Sequence, residues 1–120
     1  MTDIEREHLD LVLDLCKKPK DISDQLSYQA IDLWHQGTGI STEAGELLSA
    51  IKCVAIYNRP IDQYNVIEEL GDLEFYMAKL RSILNIKRED TLIFNMSKLK
   101  IRYSGGYSNE AAAERKDKVV

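Results

Sequence analysis

The stretch ISTEAGELLSAIK at positions 40–52 repeats its apolar residues with the period of an α-helix, yet it sets two carboxylates against that apolar side. At about 100° per residue, Ile40, Ala44, Leu47, Leu48, Ile51 and the following Ala55 share one stripe. Glu43 sits at the edge of the stripe, and Glu46 lies one step further out. The period predicts a helix from about 38–41 to 56 with one face turned to a core.

A second stretch, VIEELGDLEFYMAKL at 66–80, poses the same problem. Its stripe is Val66, Leu70, Leu73, Met77, Leu80 and Leu84, within a helix expected over about 62–84. Glu69 falls almost inside that stripe, Asp72 on its flank, and Tyr76 between them. Glu68 points away, and Glu74 lies towards the opposite edge. The turn YNRPID at 57–62 is short, so the two helices are antiparallel neighbours.

Each helix therefore brings two acids, spaced i and i+3, to the border of a shared apolar face. Four carboxylates held there raise one another's pKa and oppose folding. A bound dication removes the repulsion, and a donor set made only of oxygen favours Mg2+ or Mn2+ over zinc. The competing reading is plain. A helical chain with 20 acidic residues forms such pairs by chance, as solvated charges beside Lys52 or Lys79.

The rest of the chain also reads as helix. A first segment spans about 2–18, opened by a Thr2/Glu5 capping box and ended by Pro19. A second spans about 23–35, carries Leu26, Ala30, Ile31 and Trp34, and is loosened by QGTG at 36–39. After a break at NIKRED, 85–90, a last strong helix covers about 89–103. The Gly-rich, then polar, SGGYSNEAAAERKDKVV at 104–120 is expected to be a flexible lid or tail with one helical turn. The expectation is a single all-α domain over 1–120, an antiparallel bundle of four to five helices.

At 120 residues and 44% hydrophobic, the chain suits one compact domain. Its net charge of −4 argues against a nucleic-acid partner held by a basic face. Cys16 and Cys53 stand apart with no zinc-like spacing, as reduced thiols. MTDIEREHLD has no apolar signal core, and no run nears the ~18 apolar residues of a membrane span. The expected setting is cytoplasmic, with no membrane.

TEAGELLSAIK, then VIEELGDLEFYMAKL, then NMSKLKIRYSGGYSNEAAAERKD resemble, in order and spacing, successive blocks of the MazG-like all-α nucleoside triphosphate pyrophosphohydrolases. The likeness covers about 35–117. It implies hydrolysis of a (d)NTP to the (d)NMP and pyrophosphate by water attack at the α-phosphorus. Mg2+, or Mn2+ in its place, would be bound by Glu43, Glu46, Glu69 and Asp72. It further implies that Tyr76 reaches the phosphates or sugar, and that Asn95, Lys98, Arg102 and Tyr103 lie over the polyphosphate. Arg115 would close over the phosphates, and the chain would be a homodimer or homotetramer.

Glu46, with Glu43 nearly equal, is the expected residue for orienting and deprotonating the water. Lys98 and Arg102, one turn apart, would neutralise the leaving pyrophosphate; as a solvated basic helix end they need no ligand. Trp34 and His35 are candidates for base recognition, although Trp34 first reads as a core anchor and His35 equally as a helix-end residue facing water. Tyr57 and Asn58 are further candidates. The sequence departs from the family pattern at Thr42, where many members carry Glu, and at RYS, 102–104, where RYP is usual. Rival readings are a phosphoribosyl-ATP pyrophosphohydrolase and a non-catalytic helical partner-binding module.

Overall fold

Thr2 and Glu5 satisfy each other's exposed backbone amides, and this capping box starts α1 (Asp3–Leu15) where its pattern predicts. That helix stops at Leu15 with Cys16 as its cap, short of the expected end near 18. Pro19 instead occupies the first turn of α2 (Pro19–Gln25), where its missing N–H costs nothing. The computed structural model describes residues 1–118, and every regular element among them is helical, with no strand. The chain groups into two compact units, Met1–Asp32 and a second that begins at Leu33. In the first, α1 is amphipathic but buries none of its residues, and Leu13 and Leu15 are exposed.

The second unit is built on α3 (Tyr28–Ala55), whose first residues belong to the first unit, and α4 (Gln63–Leu84). The Ser27 hydroxyl accepts from the Ala30 amide at the start of α3. From there the helix runs straight through QGTG, where a break was expected. Two glycines in a helix each cost about 1 kcal/mol relative to alanine. At Gly39 a tertiary contact outweighs that cost, because the residue is buried against the Tyr76 ring of α4. Asp62 caps α4 through the Asn65 amide, and Asn85 ends it in the left-handed conformation.

Gly39 beside Tyr76, His35 beside Tyr76, and Glu43 beside Glu69 and Asp72 fix α3 and α4 as an antiparallel pair. Their apolar stripes are less covered than the pattern suggests. Ile40, Leu47, Val66, Leu73, Met77 and Leu80 are half-buried, whereas Leu48 and Leu70 are exposed. Among the described residues Ala50 is the one buried apolar side chain.

The chain continues into α5 (Arg88–Arg102), and Arg81 and Arg88 both approach Glu74, at 3.8 and 3.7 Å. Over 104–118, where the sequence suggests a lid or tail, Ser108 caps a short α6 (Asn109–Glu114) through the Ala111 amide. Asp117 then returns to pair with Arg102. No helix of the described residues is long and apolar enough to cross a membrane.

Candidate metal centre

Gly39 sets the geometry. With no side chain there, α3 comes close enough to α4 for the Tyr76 ring to lie against its backbone. One turn on from Gly39 along α3 is Glu43, and one turn back from Tyr76 along α4 is Asp72, with Glu69 a turn earlier still. Antiparallel packing brings these levels together. Carboxylate oxygens of Glu43, Glu69 and Asp72 all lie within 4.8 Å of one another.

Glu69 is the innermost of the three, at 8% exposure, in contrast to the exposed Glu68 beside it. Its Oε2 is buried with no hydrogen-bond partner. A buried, unpaired carboxylate oxygen is unstable as an anion, and the group responds by holding its proton. A hydrogen bond with the Glu43 carboxyl, burial, and the negative charges of Glu43, Asp72 and Glu46 push its pKa from 4.5 to about 7. A cation between the two helices would relieve the same repulsion. The donors are all oxygen and near one another, and one atom, Glu69 Oε2, has no hydrogen-bond partner, which fits a hard dication.

The other expected site residues divide. Glu46 is exposed and acts on Glu69 through its charge, but it is not among the three converging carboxylates. Tyr76 is half-buried beneath the acids, its ring 6.3 Å from that of His35 and edge-on to Phe75. Trp34 is 71% exposed, so it is not the core anchor it first reads as. Lys52, a suggested partner for the acids, instead sits over the Tyr57 ring at 5.7 Å. Thr42 returns its hydroxyl to the Thr38 carbonyl one turn back and is satisfied within its own helix.

On α5, Asn95 is exposed and Lys98 half-buried. Lys98 lines a cavity of about 220 Å³ with Phe94, Ser97, Ile101, Asp117 and Lys118. Arg102 gives its guanidinium to Asp117, and the Tyr103 ring lies tilted against that of Tyr107, 5.4 Å between centroids. Arg115 ends α6 in the left-handed conformation and is exposed. Two residues carry geometry that the sequence did not single out, Gly39 and Asp117. Gly39 could have been suspected as a glycine one turn ahead of Glu43; nothing in the local pattern marks Asp117. Set against protein-family models, curated proteins and solved structures, the chain matches none.

Proposed function

We propose that this chain is a metal-dependent nucleoside triphosphate pyrophosphohydrolase of the MazG-like type, converting a (d)NTP to the (d)NMP and pyrophosphate. The observation that carries the reading is the orphaned Glu69 Oε2, buried where three carboxylates converge. A structural acid has no reason to stay there, because a neutral side chain of the same shape would relieve both the repulsion and the missing hydrogen bond. A ligand for a cation does.

Glu43, Glu69 and Asp72 would hold Mg2+, with Mn2+ able to replace it. When bound, the ion would supply charge neutralisation and polarise the phosphate oxygens. Glu46, exposed on α3 one turn after Glu43, would orient a water and take its proton as the new oxygen–phosphorus bond forms at the α-phosphorus. The bond from that phosphorus to the bridging oxygen breaks, and pyrophosphate leaves. Lys98 and Arg102, a turn apart on α5, would meet the charge on the departing group. Tyr76 and His35, in contact beside the acids, would border the sugar or base.

The same reading includes assembly into a homo-oligomer of even order. Phe75, Leu48 and Ile67 are 69%, 65% and 64% exposed. Apolar surface left in water forgoes about 25 cal/mol per Å2, so a second copy covering these helices would stabilise both.

The deciding experiment is pyrophosphate release from the eight common NTPs and dNTPs, with and without Mg2+ or Mn2+. The expected result is metal-dependent release that prefers some bases. No release under any condition would sink the proposal, and selective turnover of phosphoribosyl-ATP would redirect it to that related reaction.

A further inference from the structure

The Arg102 guanidinium offers a two-pronged fork of donors, and it is already occupied. Its Nε donates to Asp117 Oδ1 at 2.6 Å and its Nη2 donates to Oδ2 at 3.1 Å. Two parallel N–H to oxygen bonds are how a guanidinium grips either a carboxylate or a phosphate. The pairing is sheltered, with the Arg102 and Asp117 side chains 15% and 2% exposed. It is reached by a built path. Gly106 turns the chain at φ +87°, Ser108 caps α6, and Arg115 reverses the backbone in the left-handed region. The Lys118 amide bonds the Arg115 carbonyl and so closes the turn that carries Asp117 onto α5. Beside Asp117 lies the cavity of about 220 Å³, whose wall includes Lys98 and Lys118 together with Phe94 and Ile101.

We propose that Arg102, Lys98 and Lys118 form an anion site in which the Asp117 carboxylate is an internal stand-in for a phosphate group. Segment 104–118 is then a latch that releases when a polyphosphate displaces Asp117. The inference rests on the reading above in taking Arg102 as a phosphate ligand, but it does not depend on the metal chemistry. It gives the tail a regulatory role: the fork stays neutralised until a chain of phosphates competes for it.

The probe is inorganic tripolyphosphate in excess EDTA, which silences the carboxylate centre. Calorimetric titration should show Asp117→Asn binding about tenfold tighter than the parent, because an internal charge-assisted competitor is gone. Arg102→Gln should lose the binding. Hydrogen exchange on the unaltered protein provides the second measurement, independent of any folding defect in a variant. Tripolyphosphate should speed amide exchange across 108–117. Equal or weaker binding by Asp117→Asn, or unchanged or slowed exchange in the tail, overturns the latch and makes Asp117 a support for Arg102. Absent hydrolysis of all nucleotides, with these binding results intact, would remove the proposed reaction and leave the latch standing.

Discussion

Gly39 and Tyr76 pack backbone against ring, so closely that a Cβ at position 39 would fall inside the van der Waals surface of the tyrosine. The atoms it would meet belong to the near side of the ring, including Cγ, and cannot swing aside as a flexible tip could. Gly39→Ala should therefore destabilise the protein by about 1–3 kcal/mol despite alanine's better helix propensity. It should also weaken divalent-ion binding, since the displaced ring lies one turn from Asp72. Thermal melting with and without Mg2+ reads both effects. Gly37→Ala, in open space on the same helix, is the control and should be neutral or stabilising.

Mg2+ should raise the melting temperature in a concentration-dependent way, by an amount equivalent to about 2.7 kcal/mol at one hundred times the dissociation constant. Glu43→Gln, Glu69→Gln and Asp72→Asn should each abolish most of that shift and reduce turnover by at least ~100-fold. Glu68→Gln should do neither, because that residue is exposed on the other side of α4. If Glu68→Gln removes the shift and Glu69→Gln keeps it, the assignment of ligands is wrong.

The raised pKa of Glu69 carries a sign that metal-free unfolding can test. Its folded value is about 7 and its ordinary value 4.5. Folding therefore binds the proton more tightly, and the stability contributed by the protonated group is fully present below 4.5 and lost as pH rises towards 7. Comparing Glu69→Gln with the parent in EDTA should show no difference near pH 4. The variant's advantage should grow through the range 4.5–7 and level off above it. A constant difference from pH 4 to 8 would show that folding does not raise the Glu69 pKa.

Asp117 works in the opposite sense. Arg102 holds its carboxyl below the ordinary range, so the pair contributes stability above that range and loses it as pH falls through the folded value. Proteolysis of the tail should accelerate in that acidic window. Asp117→Asn should show the fast rate at neutral pH as well.

Phe75, exposed on α4, can report assembly. Sedimentation at micromolar concentration should give an even multiple of 13.7 kDa. Phe75→Asp should shift the protein towards smaller species and lower its melting temperature. A stable monomer in the unaltered protein would contradict the oligomeric reading.

Helix character was legible in the residues themselves. The capping box at Thr2 and Glu5, Asp62 ahead of α4 and the apolar period of α4 are local signals, and local hydrogen bonds enforce them. The phase of each helix is local too, so the placement of Glu69 inward and Glu68 outward follows from spacing at about 100° per residue. What spacing could not supply is contact. Which acids meet depends on how closely two helices approach, and that distance is decided at Gly39, a residue whose local propensity argues for a break. The separation of Glu46 from the three converging carboxylates, the exposure of Trp34, and the capture of Arg102 by Asp117 fifteen positions away belong to the same class. They arise from packing between distant segments, where the energy of a contact overrides what each segment prefers alone.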